Sequence, residues 1–279
     1  MADFPLFSAG AGIERLHPDP TLTQAMYLRL TKPTAANTKS DWTEITAATT
    51  RAYTGLFIAS GNGDTSSNSA NMGSGLADIA IGTTPIIENI LAFNAAGGQY
   101  DPQDTPLIYV PLAVPAGVQL QARCQLSDYA SAATAHLGVW GVPFDPMMPA
   151  PFGRATTYGA NTGTSQGVTV DCGTTAHTRV RQQIVASTAN PIRYLLACFG
   201  TDGNTTRALG SFLVDIESNP GVKLVSNLRL TANANENIDP TYFAFPVSVP
   251  AGSELNIYAQ CSSNSAGART FDVVLIGLD

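Results

Sequence analysis

Few residues in this sequence are of a type that does chemistry, and their spacing suits catalysis poorly. Histidine, the commonest general base, occurs at His17, His136 and His177. His17 precedes Pro18, His136 opens a strand on the side of Trp140, and His177 falls where the other half of the chain carries Asn37, so each reads as a packing or surface residue. Cys124, Cys172, Cys198 and Cys261 occur singly, without the short pairs of a zinc site or a thiol redox motif, and read as small buried hydrophobes. A phosphate-cradling Gly loop and a His-Glu-x-x-His helix are both missing from the sequence.

The acidic residues point the same way. Asp64 in Gly61-Asn-Gly-Asp and Asp202 in Thr201-Asp-Gly-Asn occupy matching turns, where a hard cation and plain turn chemistry explain them equally well. Asp101, Asp104 and Asp239 also read as turn residues, while Asp78 and Asp215 sit at equivalent places inside apolar strand segments and suggest a shared structural hydrogen bond. A carboxylate pair for glycoside cleavage would have to be assembled across the fold from separate loops. No catalytic residue, metal or cofactor is therefore expected, and the chain is expected not to be an enzyme. Two aromatic rings remain as candidates for stacking on a sugar: Trp42, aligned with Gln182 and hence expected at the surface, and Tyr158 in a Gly-rich stretch.

What must position these residues is a protein of 279 residues and unusual composition. Only 13% of the residues are charged, about half the usual ~25% of a globular chain, and Gly, Ala, Ser, Thr and Asn replace them. That suits short strands joined by turns. A net charge of −7 excludes a nucleic-acid partner held by counterion release. The start, Met-Ala-Asp-Phe-Pro, lacks a basic segment followed by an apolar one, and no run of about eighteen apolar residues occurs, so neither export nor membrane insertion is expected.

Internal similarity fixes the architecture. Thr34-Ala-Ala-Asn-Thr-Lys39 recurs as Thr174-Thr-Ala-His-Thr-Arg179, Leu76-Ala-Asp-Ile79 as Leu213-Val-Asp-Ile216, and Val114-Pro-Ala-Gly117 as Val249-Pro-Ala-Gly252. After each Pro-Ala-Gly turn the residues alternate: Val118, Leu120, Ala122, Cys124 and Leu126 share a face in the first copy, as Leu255, Ile257, Ala259 and Cys261 do in the second. Each copy ends on a further strand in which Trp140 matches Ile276; both faces of that strand are apolar, which places it centrally or against another module. The expected fold is all-β: two tandem, duplicated antiparallel β-sandwich modules of jelly-roll type at 25–145 and 165–279, an N-terminal arm at 1–24, and a linker at 146–164. In the arm, Phe4, Leu6 and Phe7 read as an apolar anchor.

With Thr-Ala-(Asn/His)-Thr-(Lys/Arg) at 34–39 and 174–179 and Pro-x-x-Val-Pro-Ala-Gly at 111–117 and 246–252, the sequence resembles virion proteins of tailed bacteriophages and the related gene transfer agents. Those proteins build small β-sandwich modules into head spikes, fibres and decoration proteins. The resemblance implies localisation in a virion, assembly with copies of itself and with other virion proteins, and contact of an outer module with host cell-surface polysaccharide. A place on the head is preferred to one on the tail or baseplate. The other readings the sequence carries are a stand-alone, lectin-like carbohydrate-binding protein and, behind it, a depolymerising enzyme with carboxylates converging from separate loops.

Overall fold

The structure is a computed structural model and describes residues 12–17, 28–31, 33–62, 75–93, 107–126, 135–144, 152–161, 167–200, 210–232, 241–263 and 269–279. The first half supplies β1 (Glu14–Arg15), β2 (Leu28–Arg29), β3 (Thr43–Thr46), β4 (Tyr53–Asn62), β5 (Gly75–Ile81), β6 (Thr84–Phe93), β7 (Ile108–Val110), β8 (Leu120–Leu126) and β9 (Ala135–Pro143). The second supplies β10 (Ala155–Tyr158), β11 (Val168–Asp171), β12 (Val180–Val185), β13 (Ile192–Gly200), β14 (Gly210–Ser218), β15 (Lys223–Ala232), β16 (Thr241–Val249), β17 (Leu255–Cys261) and β18 (Thr270–Leu278). No helix among the described residues is long and apolar enough to cross a membrane.

Strand order repeats between the halves. In the first sandwich β1-β9-β4-β7 faces β6-β5-β8-β3, and in the second β10-β18-β13-β16 faces β15-β14-β17-β12. Eight-stranded order of this kind, with the first strand of each half split in two on one partner (β1 and β2 on β9, β10 and β11 on β18), is a jelly roll. The turns are built alike too. The Thr49 hydroxyl donates to Pro115 O at 2.7 Å and accepts from Val118 N at 3.1 Å; Thr188 does the same with Pro250 O and Ser253 N, both at 3.2 Å. Gly117 and Gly252 take φ of 74° and 80° in these turns, where a Cβ would be strained.

Two segments hold more order than the sequence implied. The arm at 1–24 was expected to lie outside the repeat, yet β1 pairs with β9 through Glu14↔Gly141 and Arg15↔Trp140, matching Thr156↔Gly277 and Thr157↔Ile276 between β10 and β18. The linker at 146–164 likewise contains β10. A strand of two to four residues is too short to show alternation, and its partner lies over a hundred residues away in sequence, so no local pattern marks it.

Beyond completing the second sandwich, β10 joins the two. It pairs in parallel with β6 at Ala155↔Ile87, which fuses the β6-β5-β8-β3 sheet of the first sandwich to the β10-β18-β13-β16 sheet of the second in one nine-stranded sheet. The two apolar faces read from β18 in the sequence are accounted for. Val273 and Leu275 enter the second core, while Val274, Ile276 and Leu278 belong to the first, and β13 divides the same way between Ala197 and Cys198.

Alternation on β8 and β17 holds for the inward residues assigned above, which are buried except for Val118, partly buried against the first core just before β8. Gln125 and Asn256, outward by parity, are buried as well; Asn256 lies between Gln183 of β12 and Glu217 of β14. Where strands approach closely, glycine is needed: a Cβ on Gly141 would enter the Tyr53 ring, and one on Gly277 would come within 2.7 Å of the Ile192 side chain. Gly141→Ala should therefore cost about 1–3 kcal/mol in denaturant titrations, whereas Gly200→Ala, which meets no atom of the described residues within 4 Å, should stay within about 0.5 kcal/mol of the parent.

Candidate functional site

Asp78 and Asp215, which fall at corresponding positions of the two copies, are the most heavily coordinated acidic groups among the described residues. Along β6 and β15 the ladder carries an extra residue opposite each of them, for the register jumps between Ala77 and Ile79 and between Val214 and Ile216. At the bulge the chain takes the left-handed region, φ 54° at Asn89 and 56° at Asn227, a conformation that asparagine tolerates better than most residues. The exposed amide this leaves is capped from the neighbouring strand: Asn89 N–H donates to Asp78 Oδ1 at 2.8 Å, and Asn227 N–H to Asp215 Oδ1 at 2.7 Å. The shared structural hydrogen bond expected for this pair is present in both halves.

Each second carboxylate oxygen carries cations. Asp78 Oδ2 meets Lys39 at 2.6 Å and Arg123 at 2.8 Å; Asp215 Oδ2 meets Arg179 at 2.6 Å and Lys223 at 2.8 Å. Lys39 and Arg179 are the basic residues that close the duplicated Thr-Ala-x-Thr motif, so its role is to reach this carboxylate. Burial alone would raise the Asp215 carboxyl. The hydrogen bonds from Lys223 and the Asn227 amide, with the charges of Arg179 and Lys223, outweigh it and hold the group below the usual aspartate range.

These guanidiniums also bind rings. Arg123 lies over Trp42, 4.2 Å from the ring centroid, and Arg179 over Tyr258 at 4.5 Å. Tyr258 takes the place of Arg123 on the equivalent strand, so cation and ring have exchanged strands between the halves while the carboxylate-cation-ring order survives. Trp42 is half-buried at the surface as expected, but one face is already occupied by a cation. Tyr158 is a correction: it is 7% exposed and belongs to the second core, because it lies on β10 rather than in an open linker, and it presents no ring to a sugar.

The remaining candidates divide simply. His17 is buried with its ring edge-on to Trp140 at 6.4 Å, and His177 takes φ 60°, as Asn37 takes 58°, with N–H donating to Cys261 O as that of Asn37 does to Leu126 O. All four cysteines are buried free thiols, and burial pushes Cys124 up to about 11 and Cys172 and Cys198 to about 12. Phe4, Leu6, Phe7, Asp64, Asp101, Asp104, Asp202 and Asp239 lie outside the described residues. No group of three or more His, Cys, Asp or Glu among the described residues is arranged to hold a metal.

Compared with known proteins, the sequence matches no family model and no curated protein. Several solved structures resemble the fold weakly. PNGase F, a glycosylasparaginase from Flavobacterium meningosepticum, aligns with TM-score 0.34 and 10% identity over 91% of this chain and 96% of its own. The infectious bursal disease virus Gx strain structure aligns with TM-score 0.26 and 13% identity over 83% of this chain and 58% of its own. The tandem CBM22-1-CBM22-2 domain of Paenibacillus barcinonensis Xyn10C gives 0.23 and 13%, over 98% and 100%. The neighbours thus include virus-derived and carbohydrate-related proteins, and at these scores they carry no argument about role.

Because the Asp215 carboxyl is depressed in the folded chain, its contribution is complete above the unfolded value and is lost as pH falls through the lower, folded one. Asp215→Asn should flatten the acid limb of a stability–pH curve below about pH 4. Asp78→Ala should cost about 2–3 kcal/mol at neutral pH, the range for a hydrogen bond to a charged group. Thiol reagents at neutral pH should leave Cys124, Cys172 and Cys198 unmodified until denaturant is added.

Proposed function

We propose that the chain is a structural protein of a phage-like virion, a head spike, fibre or decoration protein that assembles on the particle and makes contact with host cell-surface polysaccharide, and that it catalyses no reaction. One observation carries the proposal. The buried charges of both sandwiches close on one another as carboxylate-capped bulges, while half-buried apolar side chains collect at sheet ends, which is how a protein built to pack and present surface spends its residues. The duplication agrees, since a copied module adds surface and height without adding chemistry. The apolar segment Phe4-Pro-Leu-Phe7 serves as the anchor in this reading, and the partners are further copies of the chain and other virion proteins.

Incorporation into particles tests it. A chain lacking residues 2–11, which ends its deletion before β1, should fold and stay soluble yet be missing from purified particles; normal incorporation would remove the anchor. Imaging of labelled particles that never carry the full chain would overturn the reading itself. For the polysaccharide, Trp42→Ala should weaken retention on immobilised host capsule if the open face of that ring is used, and unchanged retention takes Trp42 out of the contact.

A further inference from the structure

The joint inside the chain has two complementary sides. One is the β6 edge with the β7 segment of the first sandwich; the other is β10 with the outer faces of β13 and β18 of the second. Phe152, just before β10, adds to it by bridging Leu112 in parallel and stacking on Tyr194 at 5.6 Å. Since both sandwiches have one topology, each side recurs at an end of the chain. β15 and β16 repeat β6 and β7, and β1, β4 and β9 repeat β10, β13 and β18; β15 and β1 are the terminal strands of their sheets as the described strands run.

Burial follows that division. Ile87 and Ile90 of β6 and Val110 of β7 are 0% exposed, whereas their counterparts Val225, Leu228 and Phe245 are only half-buried against the second core. On the other side Ala155 and Ile276 are 0% exposed, while their counterparts are Ile13, 43% exposed, and a half-buried Trp140. Large apolar residues thus stand half-covered or exposed at end positions, and β15 and β1, which carry no further strand on that side among the described residues, offer an edge beside them for further pairing.

From this we infer that copies of the chain join head to tail by repeating the internal joint, with β1 of one copy laid parallel to β15 of the next and the Phe57–Trp140 face of its first sandwich set against β16. The inference rests on the reading of the chain as an assembling structural protein and names the partner as another copy. That occupant is chosen because the piece that covers β6 is β10, and the chain carries the counterpart of β10 at β1. Each copy offers one head and one tail, so the contact is heterologous and yields closed rings or filaments rather than a two-fold dimer. One feature differs between the two joints. Arg154 and Glu88 pair across the internal joint at 2.7 Å, but their counterparts are Gly12 and Ser226, so the contact between copies has no such charge pair and depends little on salt.

The test uses the full chain. Sedimentation of the parent should show assembly that grows with concentration, with amide exchange slowing together at residues 12–16 and 223–228. Ile13→Asp blocks the head and Val225→Asp the tail; each alone should sediment as a monomer, and an equimolar mixture should give a heterodimer and nothing larger, because one sound head and one sound tail remain. Circular dichroism checks that Val225→Asp folds, and Leu228→Asp replaces it if it does not. A parent that stays monomeric at high micromolar concentration, variants that assemble like the parent, or slowed exchange elsewhere would overturn the joint. A monomeric parent that still enters particles would overturn the joint alone and leave the virion reading standing.

Discussion

A sheet that is apolar on both faces must be covered on both, and this constraint organises the molecule. Along β13 and β18 alternate residues turn to opposite sides: Ala197 and Leu275 pack into the second sandwich, Cys198 and Ile276 into the first. Neither half could bury the strands on its own. At roughly 25 cal/mol per Å² of apolar surface, leaving one such face wet would be expensive, so the second sandwich is obliged to dock on the first. The parallel contact of β10 with β6 sets where it docks, and the nine-stranded sheet is the result.

Polar groups are arranged around that apolar frame so that the buried carboxylates of Asp78 and Asp215 each meet cations. The bulges at Asn89 and Asn227 expose amides that the strand ladder does not use, and Asp78 and Asp215 take them. Once buried, those carboxylates require cations, which the duplicated Lys39 and Arg179 deliver from a loop and which Arg123 and Lys223 complete. Trp42 and Tyr258 then hold the guanidiniums in place. The chain from strained backbone to carboxylate, cation and ring is the same in both halves although the residues that build its last link have changed strands.

Much of this was legible because it is local. Alternation after each Pro-Ala-Gly turn identified the buried faces of β8 and β17, and the paired Asp78 and Asp215 announced a common hydrogen bond; that Asn37 and His177 share a left-handed backbone was not read from the sequence. The candidate site was less so. That Trp42 lies at the surface followed from its alignment with Gln182, but the guanidinium over its ring could not, since Arg123 is distant in sequence and reaches the indole only once β8 is in place. Tyr158 was misplaced for the same reason: a Gly-rich stretch reads as open loop, and only the pairing of β10 with both β18 and β6 turns it inward.

By itself, then, the sequence determined the class of fold, the duplication and the parity of its longer strands, because turn preference and period-two alternation act over a few neighbouring positions. Tertiary structure alone decided that Glu14–Arg15 of the arm and Ala155–Tyr158 of the linker are strands of the sandwich that follows, that the two sandwiches share one sheet, and which apolar side chains are left half-covered at its ends. Those depend on pairing between segments more than sixty residues apart, as Ala155 and Ile87 are, and a hydrogen bond across such a distance leaves no periodic trace in either segment.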